Sequence, residues 1–265
     1  MQVLSNEQLF KVAPSIFAKH AAVDRSERYR FVPTIEVVDA LREEGFMPVK
    51  VQASRAKSED GVDYVKHSVR FRRESDMETK FAKVGQLMPE LALTNSHNGT
   101  SSFMLDPAIL RLVCSNGLVV SSSQGTLRYQ HGGKDDLTGR VIEGAYSIVE
   151  DFPLIADNID LWSGIELTQE QRLVFAQSAK QLRFDDEVEI NPVALLTPRR
   201  YGDNKNDLFT TFNVVQENLI RGGVPMPRTE KGRRQTSRAI KSVDRDLKLN
   251  RALWTLADEM AKLVH

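Results

Sequence analysis

"LALTNSHNGTSSFMLDPAILRLVCSNGLVV", residues 91–120, decides how the N-terminal half of this chain is read. A polar tract without a carboxylate, Thr94 to Ser102, separates two apolar runs. Asn98-Gly99 stands in its middle. Asn-Gly is the strongest short hairpin signal, because both residues tolerate positive φ. The tract is expected to be an ordered polar turn whose side chains satisfy backbone groups. Before it, Leu91 and Leu93 alternate as on a strand. After it, Asp106 has the chemistry of an N-cap and Pro107 suits the first helical position. Ile109, Leu110, Leu112 and Val113 then share a helical face, and Asn116-Gly117 is a left-handed stop. The spacing predicts a helix over 107–115, a strand from Leu118 to Val120, and a hairpin mate for it over Gly125–Tyr129.

Upstream, Ser5-Asn6-Glu7-Gln8 has the spacing of a capping box, and Pro14 interrupts the helix it opens. Thr34 is read as the cap of a second helix carrying Ile35, Val38 and Leu41, with Gly45 as its stop. Val49 and Val51 alternate with Lys50 and Gln52. Val65, His67, Val69 and Phe71 then alternate with Lys66, Ser68, Arg70 and Arg72. Period two predicts an antiparallel strand pair with one buried face and one exposed, basic face.

Downstream the period becomes helical. Val141, Ile142, Ala145, Tyr146 and Val149 fit one face, and Thr168-Gln169-Glu170-Gln171 is a second capping box. Leu208, Phe212, Val215 and Leu219 fall on one stripe that ends at Gly222-Gly223. A last helix runs from about Asp244, with Leu249, Leu253, Leu256, Met260 and Leu263 inward. The fold class is therefore α+β. An antiparallel sheet with packed helices occupies 1–150, and a mainly helical region with a basic loop at 224–243 occupies 151–265.

A chain of 265 residues with 36 basic and 36 acidic side chains has no net charge to announce a polyanionic partner. Any such signal must be local. The single cysteine, Cys114, excludes an intrachain disulfide and a cysteine cage for zinc. No apolar run is long enough to span a bilayer, and the N-terminus lacks the pattern of a secretory leader, so the expected compartment is the cytoplasm of a host cell.

The local charge signal lies at residues 228–245, RTEKGRRQTSRAIKSVDR. Arg228, Lys231, Arg233, Arg234, Arg238, Lys241 and Arg245 stand there against Glu230 and Asp244, behind the Gly and Pro residues of 222–227. Mobile cations of this kind neutralise phosphates. Lys66, Arg70 and Arg72 offer a second basic surface if their strand face is open. Tyr29, Phe31 and Tyr64 are candidate stacking platforms for a single strand. Signals for catalysis, cofactor or metal are thin. His20, His67, His97, His131 and His265 have no ligand spacing, and there is no nucleophile elbow, phosphate loop or dinucleotide fingerprint. His67, on an apolar face, is read as a satisfied core residue, and Cys114 as a buried thiol. Asp185, Asp186, Glu187 and Glu189 read as a solvated acidic turn, and Asp203 and Asp207 as turn and cap.

Four blocks carry a resemblance: LTNSHNGTSSFMLDPAILRLVCSNGLVV, VIEGAYSIV, LTPRRYGDNKNDLFTTFNVVQENLIRGG and DLKLNRALWTLADEMAKL. From about Leu9 to Leu263 the chain resembles the phage- and plasmid-associated family catalogued as domain of unknown function 932. That family's turn usually reads Ser-His-Asp-Gly; here Ser96-His97-Asn98-Gly99 has no carboxylate at 98. The resemblance implies a protein of mobile elements, which often handle DNA, and implies no activity or site residues. The order helix, strand pair, third strand, helix over 34–115 is also similar in outline to single-strand annealing recombinases of the Redβ and Erf type.

These readings converge on a DNA-binding protein, with single-stranded DNA favoured and a homo-oligomer possible. Its phosphate contacts would be Lys66, Arg70, Arg72, Arg228, Lys231, Arg233, Arg234, Arg238 and Lys241. The alternative is a protein-interaction module, such as an inhibitor of a host defence protein, acting through Asn95, His97 and Asn98 of the polar loop and the C-terminal helices. A hydrolase or nuclease built around His97 ranks third.

Overall fold

Ser5 begins the fold as its chemistry dictates. Its hydroxyl accepts from the Gln8 amide while the Gln8 side chain accepts from the Ser5 amide, so helix α1 (Asn6–Val12) starts with two orphan donors satisfied. Pro14 cannot continue that helix, and the chain tightens into a 3₁₀ turn at Pro14–Phe17. Helix α2 (Thr34–Glu43) ends at Gly45, whose φ of +80° favours glycine. The computed structural model describes residues 2–23, 29, 31–56, 58–77, 87–111, 117–119, 126–129, 136–185, 188–228 and 231–264. Leu112, Val113, Cys114, Asn116, Val120, Gly125, His131, Asp186, Glu187, Glu230 and His265 lie outside them, so their expected roles have no structural counterpart here.

The chain divides into two units, Met1–Phe152 and Pro153–His265. The first is built on an antiparallel sheet with six strands among the described residues. Its strands are β1 (Phe46–Ala53), β2 (His67–Arg73), β3 (Leu87–Asn95), β4 (Phe103–Arg111), β5 (Gly117–Val119) and β6 (Leu127–Tyr129). A one-turn helix, α3 (Glu74–Met77), follows β2. The pairing runs β1-β2-β3-β4-β5, and β6 also pairs with β4. One sheet face supplies Val69, Phe71, Leu91, Leu93, Phe103 and Leu105 to a core closed by Leu9 of α1, Val37, Val38 and Leu41 of α2, and Val141, Ala145 and Ile148 of α4 (Leu137–Gly164). The alternation seen in the sequence is real.

Three expectations fail. The helix expected over 107–115 is not formed by its described residues, 107–111; Phe103–Arg111 is strand β4, paired with β3 from Leu87↔Arg111 to Thr94↔Met104. The reason is burial on both faces, which turns the strand into a continuous apolar run that helical spacing fits as well. Pro107 is tolerated because the other edge of β4 is divided. There β6 pairs Phe103, Met104 and Leu105, and β5 pairs Ala108, Ile109 and Leu110, leaving Asp106 and Pro107 in the gap. Pro48 similarly sits at a bulge in edge strand β1. With β4 a strand, the outline shared with annealing recombinases loses its final helix. Second, β6 is the mate of β4, not of β5. Third, Thr34 is the first residue inside α2 and its side chain makes no cap; Pro33 holds the cap position.

The second unit is mainly helical. Its principal helices are α5 (Gln169–Gln181), opened by the Thr168/Gln171 capping box, α6 (Leu208–Arg221), capped by the Asp207 carboxylate, and α7 (Val243–Val264). Trp254 packs at 4.4 Å from Trp162 between ring centroids and edge-on to Phe212, and Leu208, Val215 and Leu253 are likewise buried in this unit. Helix α6 is buried from Leu208 to Leu219, so its polar residues need internal partners. Gln216 donates to Asn250 of α7 (2.8 Å), and Asn218 donates to the carbonyls of Leu195 and Thr197.

Candidate functional site

The basic segment is an anchored hairpin rather than a loose loop. Strands β7 (Pro225–Met226) and β8 (Gln235–Thr236) pair antiparallel. At the root, the Gly223 amide donates to the Ser237 carbonyl (2.7 Å), the Ser237 amide to Val224 (2.9 Å), and the Ile240 amide to Ile220 (2.8 Å). Arg199 clamps the same root, Nε to Asn218 Oδ1 (2.8 Å) and Nη2 to the Gly222 carbonyl. Arg183 donates to the Arg238 carbonyl. Burial, and then the neighbouring Arg245 guanidinium, pull the Arg183 pKa below its ordinary value, as a crowded cationic field should. Arg228, Lys231, Arg233, Arg234, Arg238 and Lys241 are all exposed. The hairpin turns their charge to solvent because the segment has almost no apolar side chain to bury.

Lys66, Arg70 and Arg72 do not form an exposed face. They are 8%, 6% and 2% exposed. Arg70 and Arg72 both pair with the Glu90 carboxylate of β3, at 3.4 and 2.5 Å. Alternation separates polar from apolar residues on a strand, but says nothing of whether the polar face is covered. Glu90, itself 3% exposed, is the partner that makes burial of two guanidiniums tolerable. On the same face Thr94 donates to Ser68 (3.3 Å), and Thr126 donates to Asp106 (2.7 Å).

The tract between β3 and β4 is a turn with Gly99 at φ +72°. Asn98 Oδ1 accepts from the Thr100 amide and hydroxyl, an Asx-turn. Ser96 Oγ accepts from the Ser101 amide (2.8 Å). Thr94, Asn95, Ser96 and His97 are fully buried, and Asn98 is half-buried. Beneath the turn lies a polar hub. His67 Nδ1 faces the Ser15 hydroxyl (2.8 Å) and the Val65 carbonyl (3.2 Å). A carbonyl only accepts, so the imidazole proton sits on Nδ1 and Nε2 accepts from the Thr34 hydroxyl (3.0 Å). Thr34 Oγ1 then accepts from Asn95 Nδ2 (3.0 Å) and His97 Nε2 (3.1 Å). Burial, and secondarily His97, hold the His67 pKa down to about 3 against the opposing hydrogen bond to Val65, so the ring is neutral.

A hydroxyl bonded to an oriented imidazole is the geometry of a nucleophile and base. Here Thr34, Asn95 and His97 expose no surface, and His67 exposes 1%. The hub therefore ties α2 and the first 3₁₀ turn to β2 and β3, and no substrate reaches it in this conformation. Sequence spacing missed Thr34, because its partners lie 33 to 63 positions away. The supposed stacking rings are engaged too. Phe31 packs 4.8 Å from the His97 ring, Tyr29 donates to the Ser96 carbonyl (3.3 Å), and the Tyr64 hydroxyl meets His20 Nδ1 (3.0 Å). Among the described residues, no cluster of three or more His, Cys, Asp or Glu could hold a metal, and no helix is long and apolar enough to cross a membrane.

The family described as Domain of unknown function (DUF932) matches residues 22–254. The chain belongs to that family. The DUF932 match takes in Thr34, His67, Asn95 and His97 of the hub, the sheet and the basic hairpin. Two Escherichia coli (strain K12) proteins, "UPF0380 protein YafZ" and "UPF0380 protein YfjQ", are each 39% identical over 258 residues, covering 97% of this chain and 91% of the relative. No solved structure matches.

Proposed function

We propose that this DUF932 chain binds nucleic acid, gripping phosphates through hairpin β7–β8 and the Arg238–Lys241 segment that follows it. The observation that carries the reading is the exposure of six cations, Arg228, Lys231, Arg233 and Arg234 within an anchored hairpin and Arg238 and Lys241 just after it. Anchoring limits the conformational entropy lost when the arm meets a polyanion, and each neutralised phosphate releases counterions. A two-stranded ribbon also fits a major groove. Phosphate contacts carry no base information, so binding is expected to be insensitive to sequence. Single-stranded DNA stays the first ligand to try, although the engaged rings of Tyr29, Phe31 and Tyr64 leave any single-strand preference to the backbone contacts. A DNA-handling role for a phage or plasmid, in the host cytoplasm, belongs to the same proposal.

Fluorescence anisotropy over a salt series, with single-stranded and duplex DNA, tests it. Log affinity should fall linearly with log salt, at roughly 0.7 per phosphate on single strands and 0.9 on duplex. Arg233→Ala, Arg234→Ala and Arg238→Ala together should flatten that slope by up to about two to three units. Absence of DNA and RNA binding at low salt would sink the proposal and favour a protein partner. An unchanged slope in the triple variant would reduce the hairpin to a connector.

A further inference from the structure

Tyr201 is 93% exposed, the most of any described aromatic residue. The other two exposed rings are engaged: Phe10 packs edge-on to Phe17, and Tyr146 donates to Glu44. Among the described residues the Tyr201 hydroxyl has no hydrogen-bond partner and its ring meets no other ring or guanidinium. A single exposed ring is ordinary on a protein surface. This one, however, stands on pinned backbone beside the basic hairpin. It opens the 3₁₀ turn Tyr201–Asp203, in which the Asp203 amide donates to the Arg200 carbonyl (3.2 Å). Arg200 also donates to the Asp203 carboxylate (3.1 Å) and, through both Nη atoms, to the Glu217 carboxylate of α6. Both carboxylates are buried. Arg199, one residue earlier, is the clamp of the hairpin root through Asn218 and the Gly222 carbonyl. Two chain steps of about 3.8 Å keep the Tyr201 Cα within about 8 Å of the Arg199 Cα. Arg199 and Lys205 on this segment, and Arg221 at the hairpin root, are exposed cations.

We infer that Tyr201 is a stacking platform for an unpaired base, so that a single strand held by its phosphates at the hairpin lays a base on this ring. The inference rests on the nucleic-acid reading above and adds to it the ligand class, a single strand. Single-strand binders combine a cationic track for the backbone with aromatic rings for the bases. The hairpin supplies the track, and Tyr201 is a ring open on nearly all sides next to its root. A ring that already packs against protein, as Phe31 does on His97, has to be freed before a base can use it. Tyr201 has nothing to give up. The ion pairs of Arg200 and the clamp of Arg199 fix the backbone under the ring, so little conformational freedom is lost when a base arrives. A tyrosine side chain has only two χ angles to order, and its hydroxyl stays in water at the rim of the stack. Every base has a π-face, so this contact selects unpaired over paired nucleotides without reading sequence.

The probes are an oligodeoxythymidine, the same strand with abasic sites, and a duplex, each titrated into the full chain by fluorescence anisotropy across a salt series. Tyr201→Ala should weaken binding of the oligodeoxythymidine by roughly five- to 150-fold, the range that loss of one base–aromatic stack spans. Its salt slope should not change, because no charge is removed. Tyr201→Phe keeps the ring and should bind as the wild type does. The abasic strand and the duplex offer no free base, so Tyr201→Ala should not alter their affinity. Circular dichroism confirms that each variant is folded, as replacement of so exposed a side chain should leave it. A strand carrying 5-iodouracil should photocrosslink at Tyr201, located by mass spectrometry. The inference alone is overturned if wild type binds with a salt slope that depends on Arg233, Arg234 and Arg238 while Tyr201→Ala binds the oligodeoxythymidine equally well. It is also overturned if Tyr201→Ala weakens duplex or abasic strand to the same extent, or if Tyr201→Phe loses as much as Tyr201→Ala. If wild type binds none of the probes at low salt, the nucleic-acid reading falls and this inference falls with it.

Discussion

Gly222 lies so close to Ser237 that a β-carbon on it would stand 2.5 Å from the Ser237 carbonyl oxygen. The three nearest atoms are backbone, Arg238 C and Ala239 N following at 2.6 and 2.8 Å, and none of them can swing aside. The φ of Gly222 is +71°, so an added side chain is strained twice over. Gly222→Ala should therefore cost clearly more than about 1 kcal/mol. Gly232→Ala is the control. Its φ is +72° but the space around it is open, so it should show only the conformational penalty of roughly 1 kcal/mol. Urea denaturation of both variants makes the comparison, and equal losses would refute the close-contact account.

Glu90 holds two buried guanidiniums, so its loss should be severe. Glu90→Ala leaves Arg70 and Arg72 without their carboxylate in a covered face, and should destabilise by roughly 3–5 kcal/mol. Replacing all three together by Met, Met and Leu should cost far less, because the guanidiniums and the carboxylate that pairs them are removed together. Chemical denaturation would show this as strong non-additivity. Additive losses would mean the three do not act as one group.

His67 predicts a pH dependence with a definite sign. Its folded pKa, about 3, is below the ordinary 6.5 of the unfolded chain. Between those values the unfolded state binds the extra proton, so stability rises with pH there. Full stability is present above 6.5, falls by at most about 1.4 kcal/mol per pH unit below it, and levels near 3. Denaturation at neutral pH and at pH near 5 should show a loss in the wild type that shrinks in His67→Gln. An unchanged dependence in that variant would assign the proton uptake elsewhere.

Thr34 should matter as a hydroxyl and not as a cap. Thr34→Ser keeps all three hydrogen bonds and should lose little. Thr34→Val keeps the shape, leaves Asn95 and both imidazoles short of a partner, and should cost about 1–3 kcal/mol. Melting temperatures of the two variants read the difference. Near-equal values would make the hub incidental.

What the sequence disclosed is what short-range chemistry controls. The capping boxes at Ser5 and Thr168, the stop at Gly45 and the turn at Asn98-Gly99 each involve residues within a few positions, and all are present. Alternation along β2 likewise sorted Val69 and Phe71 from Arg70 and Arg72. What stayed hidden depends on distant partners. Glu90 lies 20 and 18 positions from its arginines, and His97 lies 63 from Thr34. Strand β4 was misread because Asp106-Pro107 imitates a helix start in a segment buried on both faces. The hairpin cations were legible as charge, while the backbone bonds that anchor them were not.

The pairing of β2 with β3 has a consequence for how the chain finds its fold. The Asn-Gly turn sets the register of β3 against β4, but residues 74–86 separate β2 from β3, and so long a connection enforces none. Chemistry on the two faces must do it instead. In the native alignment Phe71 lies opposite Leu91, and Arg70 opposite Ala92 beside Glu90. A slip of one residue would drive Arg70 among the leucines and Phe71 onto the carboxylate side. It would also tear His67 from the hub. A shifted strand, or an intruding one from another molecule, is thus rejected by both surfaces at once. The covered charges act as a lock against mispairing and strand exchange.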